Sequence, residues 1–382
     1  MVGRDVTVWG AGPAGLICAQ VLAEAGCGVT LCDHKAAPAR KFLLAGRGGL
    51  NLTHSEPLEQ FLTRYGPARW FLEPMIRAFP PEQVIAWCER LGVPTFTGSS
   101  GRIFPQSMKA SPLLRAWLRH LGQLGVTLKT GVEWHGFRDS PTVLALGGAS
   151  WPSTGSTGNW IAKFEAAGIR VNAFQPSNSR ILVPWTEHFR NRFAGQPLKN
   201  LMLRYGGETA KGEIIISQQG LEGGAVYQLS RVMREEPGKP LIIDMKPGLS
   251  GDVVAKRLAQ PRGTMSQANF LRRALGLTPA AIALLHETKT PISHTGIKAL
   301  KLPVRGPAGI DRAISSAGGI DLRELDSHCR LKKIAQTYCV GEMLDWDAPT
   351  GGYLLQACFS TAVAAARDLA RQLAPSAPHF AH

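Results

Sequence analysis

The sequence predicts an α/β protein: a Rossmann-like nucleotide-binding domain interrupted by an inserted domain of mixed β and helical character. Three observations predict it. The chain opens as strand, glycine turn, helix, strand, which is the start of a βαβ unit. Beyond Pro184 the texture changes to short apolar runs with hairpin-like turns. From about Gly309 the α/β pattern returns and ends in a long helix. The expected division is 1–185 for the first part of the nucleotide-binding domain, 186–305 for the insert and 306–382 for its C-terminal part.

The elements follow in order. Asp5–Gly10 and Val29–Asp33 read as strands flanking a helix from Pro13 to Ala25. Helical signals follow at 57–64, 68–79 and 81–91. Ser111 reads as an N-cap with Pro112 in the first turn of a helix over 112–124. Strands are expected at 126–129 and 142–146, then a helix over 159–167 after a Gly/Ser/Thr loop. In the insert, 181–185, 200–206, 212–217 and 240–245 read as strands, and 250–259, 266–275 and 278–287 as helices. Strand Arg312–Ser315, a turn at Ala317–Ile320, strand Thr337–Val340 and a helix over 353–372 close the chain.

Composition bounds the function. The 382 residues are 44% apolar, enough for a sizeable core, and 42 glycines with 26 prolines suit an enzyme with many tight loops. The seven cysteines form no CxxC pair and no metal-ligand spacing, so they read as reduced, packed thiols, and no metal is expected. Cys27 and Cys32 have opposite parity about a strand, which argues against a disulfide between them. The chain starts directly in a strand, without a signal peptide, and no run reaches membrane-span length. A soluble cytoplasmic protein is expected. The net charge of +15 is densest in 186–305, with 18 basic against 9 acidic residues, which favours polyanionic partners.

The chemistry lies in glycine loops. Gly10-Ala-Gly12-Pro13-Ala14-Gly15 follows a strand and opens a helix. Gly10 allows the tight turn, Gly12 lets a pyrophosphate approach the backbone, and Gly15 lets helix and strand pack. The helix N-terminus offers free N–H groups to phosphate. Asp33 ends the second strand, where a carboxylate accepts the ribose hydroxyls of an adenosine half, so FAD or NAD is favoured over NADP. Further glycine loops at 44–53, 146–158 and 340–353 suit the longer FAD, which needs many close backbone approaches. Pro13, Ala14, His34, Lys41, Gly147, Gly148, Gly341 and Tyr353, in or beside these loops, are expected at the cofactor.

The stretches GAGPAGL (10–16), GRGGLNLTH (46–54), GRIFPQSMKA (101–110), LGGASWPSTGSTGN (146–159), SSAGGI (315–320) and GEMLDWDAPTGGYLLQA (341–357) together resemble the BaiN/RdsA-like flavoprotein family. That family includes bile-acid dehydroreductases and an RNA dihydrouridine synthase, and the resemblance covers nearly the whole chain. It implies a glutathione-reductase-type FAD-binding domain. It also implies that Glu342 sits by the ribityl chain and pyrophosphate, and that Gly351 and Gly352 face the flavin's pyrimidine edge. Arg47, Gly48, Gly49 and Asn51 should line the flavin, Val132 should touch adenine through its backbone, and Ser150, Thr154 and Gly155 should follow the cofactor. Asp345 and Asp347 read as a solvated loop.

Two departures stand out. Relatives carry a cysteine where this chain has Leu50, and a histidine in the insert where it has Ser217–Gly224; Gln218 and Glu222 are the nearest polar replacements. The catalytic proton donor is therefore unknown. His294 reads as a loop histidine or, less simply, a proton donor. The expected function is FAD-dependent reduction of a polarised C=C bond, with hydride from flavin N5 and NAD(P)H or a protein as transient electron donor. The substrate is a small molecule or a uridine in ribosomal or transfer RNA. Arg190, Arg192, Lys199, Arg204, Lys256, Arg257, Arg272 and Arg273 are the candidate phosphate-contacting side chains. An FAD-bound RNA- or partner-binding protein without turnover, and a flavin oxidase or monooxygenase, are the alternatives.

Overall fold

The computed structural model describes residues 4–374, apart from the side chain of Arg47. The chain divides into two units, Met1–Gln175 with Ser315–His382, and Pro176–Ile314. Buried apolar residues form one cluster in each.

The first unit is built on five parallel strands, β1 (Asp5–Trp9), β2 (Gly28–Asp33), β3 (Thr127–Thr130), β4 (Thr142–Leu144) and β5 (Thr337–Cys339). Their order is β5-β4-β1-β2-β3. A parallel sheet covered on both faces demands strands that are apolar throughout. Val6, Val8, Trp9, Val143, Leu144, Tyr338 and Cys339 are accordingly buried. Helix α1 (Pro13–Glu24) is buried along most of its length and packs on α2 (Tyr353–Gln372), whose own buried face is rich in alanine. Small side chains on both helices allow their close approach. Thr53–His54, Arg102–Pro105 and Thr95–Thr97 form a separate antiparallel sheet that periodicity did not suggest.

The second unit carries a seven-stranded sheet. Its longest hairpin, Pro197–Tyr205 with Glu208–Ser217, turns at Gly206-Gly207, both at positive φ, which matches the twist of the flanking strands. Helices Gly251–Leu258, Gln267–Leu275 and Pro279–Glu287 are each capped by a hydroxyl, from Ser250, Ser266 and Thr278. Thr186 caps a further helix, Glu187–Phe193, absent from the sequence reading.

Three expectations change. The unit boundaries fall at 175/176 and 314/315, because Ile181–Leu182 pairs with both Gly220–Leu221 and Gly306–Pro307 inside the second sheet. The expected strand at Arg312–Ser315 and turn at 317–320 are replaced by a 3-10 turn, Ile310–Arg312, and a strand, Ser315–Ile320. Gly318 and Gly319 serve close passage there: an added Cβ would lie 2.3 Å from Ala173 O and 2.3 Å from Met343 O, respectively. The helix expected from Ser111 starts at Ala110, after an extended Lys109, and Ser111 and Pro112 fall in its first turn. All seven cysteines are free, and six of them are buried. Among the described residues no helix is long and apolar enough to cross a membrane.

Candidate functional site

A cavity of about 340 Å³ opens beside the C-terminal ends of β1, β2 and β4. In open parallel sheets this is where ligands bind. Gly10, Gly12, Pro13 and Ala14 line it from the first turn, and Asp33 and His34 from the end of β2. Lys41, Val132, Gly147, Thr154, Gly155 and Glu342 complete the predicted residues along its wall.

The three glycines of the first turn have different reasons to be glycine. Gly10 has φ +99°, donates its N–H to Cys32 O at 2.7 Å, and would place a Cβ 2.2 Å from Ala145 O. Gly15 would place one 1.8 Å from Gly10 O, so it packs behind the cavity and does not line it. Gly12 is extended, at φ −79° and ψ −177°, a conformation open to any residue. Nothing in the chain lies within 4 Å of the Cβ it lacks. The room is kept clear on the cavity side, at the N-terminus of α1, where N–H groups are unpaired by helix geometry.

Asp33 does local work first. Its Oδ2 accepts from Ala11 N and its Oδ1 from Lys35 N, both at 2.8 Å, so it staples the glycine turn to the end of β2. A carboxylate offers about four acceptor positions, which leaves capacity toward the cavity. Val132 donates its N–H to Asp33 O at 3.0 Å, which closes the expected contact through that N–H. The site thus takes shape through the backbone of β2.

Glu342 brings the far end of the chain into the same cavity. Its Oε2 accepts from Lys41 Nζ at 2.8 Å and its Oε1 from Ser316 N at 2.9 Å. Lys41 Nζ also meets Ser150 Oγ at 2.5 Å. Ser316 Oγ accepts from Ala149 N and Ser150 N, and Gly148 leaves room for that hydroxyl. Gly148, Ser150 and Gly341 therefore support the wall without forming it. The Ser316 hydroxyl was the part least visible in sequence. Cys358 also lines the cavity, where burial pushes its thiol up to about 12 and keeps it neutral.

Loops 46–54 and 351–353 do not line this cavity; they press on one another. Gly352, at φ +97°, would place a Cβ 2.4 Å from Thr53 Cα. Asn51 donates to Thr53 O and Ile103 O, while its Oδ1 is buried without a partner. Tyr353, named with the cofactor loops, is buried and donates its hydroxyl to Glu56 Oε1 at 2.6 Å. Burial pushes that phenol up, and Glu56 pushes it further. Burial also raises the Glu56 carboxyl, but bonds from Arg64 and Tyr353 outweigh it and hold the group below its ordinary range. Gly48, Gly49 and Gly351 belong to these two loops, and the Arg47 side chain lies outside the described residues.

Other candidates fall elsewhere. Asp345 is not a solvated loop carboxylate: it is half-buried, accepts from Asn172 Nδ2 at 2.7 Å, and burial pushes its carboxyl up. In the second unit, His294 is exposed at the start of helix His294–Lys298. Gln218 is exposed there, and Glu222 is bound by Arg180.

A glycine turn on a parallel sheet, an acid closing β2 and a glutamate from the far end of the chain form a dinucleotide-binding site of Rossmann type. The HI0933-like protein Rossmann domain matches residues 4–368, and the chain belongs to that family of FAD-dependent oxidoreductases. It is 24% identical over 404 residues to the ribosomal RNA dihydrouridine synthase of Escherichia coli, covering 96% of this chain and 98% of that protein. It is 25% identical over 411 residues to the 3-dehydro-bile acid delta(4,6)-reductase of Clostridium scindens, covering 96% and 99%. Among solved structures, the 3-ketosteroid-delta4-(5alpha)-dehydrogenase of Rhodococcus jostii shares the fold, with a TM-score of 0.52, 14% identity and 96% coverage of both chains. The residues present fit FAD. The cleared space at Gly12, beside the N-terminus of α1, suits a pyrophosphate.

Proposed function

We propose that this enzyme reduces the C=C bond of a uridine in ribosomal RNA. The carrying observation is the surface of the second unit. Residues 176–314 hold 20 basic and 10 acidic side chains. Arg190, Arg192, Lys199, Arg204, Lys256, Arg257, Arg272 and Arg273 are all exposed, and none pairs with a carboxylate among the described residues. Basic side chains without acidic partners are what a phosphate backbone recruits. The names of two full-length relatives support the chemistry, since one is a ribosomal RNA dihydrouridine synthase and the other a 3-dehydro-bile acid delta(4,6)-reductase.

Within the first unit, Gly12 and the N-terminus of α1 would hold the cofactor's pyrophosphate, and Asp33 its adenosine ribose. Lys41 holds the Glu342 carboxylate in place at the cavity wall, where it would accept from the ribityl hydroxyls. Bound FAD would supply the hydride. The chain carries one dinucleotide turn, assigned to FAD, so the electron donor, NAD(P)H or a protein, would bind transiently. The setting is cytoplasmic.

The test compares dihydrouridine in ribosomal RNA from cells with and without the gene. It is paired with NADH- and NADPH-dependent reduction by the purified protein. Loss of one dihydrouridine with the gene, restored by the wild-type copy, is expected. Unchanged RNA, or turnover of a steroid enone and not of RNA, would defeat the proposal.

A further inference from the structure

The segment 101–110 is unused by the cofactor cavity, and the fold gives it a surface. In the small antiparallel sheet, Phe96 lies directly opposite Phe104, and His54 opposite Arg102. Ile103 and Pro105 turn inward and are buried, so Arg102 and Phe104 take the outer face. The two phenylalanine rings stack there, with centroids 5.8 Å apart and planes at 29°. Phe96 is 41% exposed and Met108 37%.

This row runs onto a loop already central to the site. A Cβ on Gly49, at φ +116°, would meet Met108 Cε at 2.7 Å and the Phe104 ring at 3.5 Å. Met108 is itself held at φ 61°, which costs a non-glycine residue, and its carbonyl accepts from Leu50 N at 2.8 Å. The strained backbone keeps a flexible apolar side chain outside the fold, beside the turn that precedes Asn51. Packing alone would have turned these groups inward.

The charge beside the rings is positive. Arg102 is half-buried and Lys109 exposed, and neither pairs with a carboxylate among the described residues. His54 stacks on buried Tyr353, with ring centroids 5.5 Å apart. Planar rings and a thioether flanked by cations recognise a planar base on an anionic backbone. No contiguous stretch of sequence shows this pattern, because 54, 96, 102–104 and 108 meet only through strand pairing.

We propose that Phe96, Phe104 and Met108 form the platform on which an unstacked pyrimidine base rests, with Arg102 and Lys109 taking its flanking phosphates. The inference rests on the RNA reading above and assigns that substrate a place on the first unit. Phe96 is the residue to change, because its exposure lets Phe96→Ala fold. A single-stranded uridine-containing RNA is titrated by anisotropy at fixed salt, with bound FAD measured by absorbance in each variant.

Phe96→Ala is expected to weaken binding about ten-fold at unchanged FAD content, the loss of one base–aromatic stack. Phe96→Tyr should restore it, and Trp70→Ala, at an aromatic 62% exposed on another element, should not weaken it. Phe96→Ala binding RNA like the wild type overturns the platform, as does a wild type that binds a steroid enone but no RNA. If Phe96→Ala weakens RNA binding while the wild type forms no dihydrouridine, the platform stands and the proposed reaction falls.

Discussion

Gly12→Ala separates what the fold needs from what the cofactor needs. At φ −79° and ψ −177° an alanine is unstrained, and nothing in the chain lies within 4 Å of its Cβ. Losing glycine's freedom in the unfolded chain stabilises by about 0.4–1 kcal/mol. A poorer N-cap for α1 costs about the same. The two offset, so the melting temperature of the FAD-free protein should move by less than about 2 °C. Cofactor binding is where the methyl is felt. Pushing a pyrophosphate off one charge-assisted N–H bond forfeits about 1.5–3 kcal/mol, or roughly 10- to 150-fold in Kd. The assay is quenching of flavin fluorescence on titration into FAD-free protein, with melts recorded with and without FAD. Gly15→Ala is the contrast, because its Cβ would sit 1.8 Å from Gly10 O and should abolish soluble folded protein. Wild-type FAD affinity in Gly12→Ala, or normal folding of Gly15→Ala, would refute the assignment of these two roles.

Glu342→Ala leaves Ser316 N without its acceptor and Lys41 Nζ with Ser150 Oγ alone, so about 1–3 kcal/mol of stability and most FAD retention should be lost; a denaturant titration and flavin content check it. Arg323 holds the Asp321 carboxyl down to about 2. The folded-state value lies below the unfolded one, so this contribution is present above about pH 4 and is lost as pH falls toward 2. Arg323 is 72% exposed, which limits the contribution to about 1 kcal/mol. Melts from pH 2 to 6 should show the gap between wild type and Asp321→Asn closing at the acid end. Changing Lys256, Arg257, Arg272 and Arg273 together to glutamate should cut the salt dependence of single-stranded RNA binding, by about 3 in log–log slope. An unchanged slope means that these four side chains touch no phosphate.

Much of the site was legible because its requirements are local. A turn followed by a helix N-terminus reads directly as Gly10–Gly15, and a strand ending in an acid reads as Asp33. The second unit's helices at 250–259, 266–275 and 278–287 read the same way, since a helical pattern is carried by neighbours in sequence. Glycine loops read less well. The 315–320 segment looked like a turn because glycine marks turns, yet its glycines admit neighbouring backbone to a strand.

Short-range commitments are therefore written in the chain: the opening βαβ unit, the alternation of elements and the family motifs. The long-range ones come from packing. Lys41 meets Glu342 across 301 positions of chain, and Thr53 meets Gln356 across 303. Asp33 spends acceptors on its own turn, and Tyr353 gives its hydroxyl to Glu56. Phe96 and Phe104 became one surface because strand register placed them opposite. Periodicity reports which face a residue takes on its own element; which other element that face then meets is set by how the sheets and helices pack.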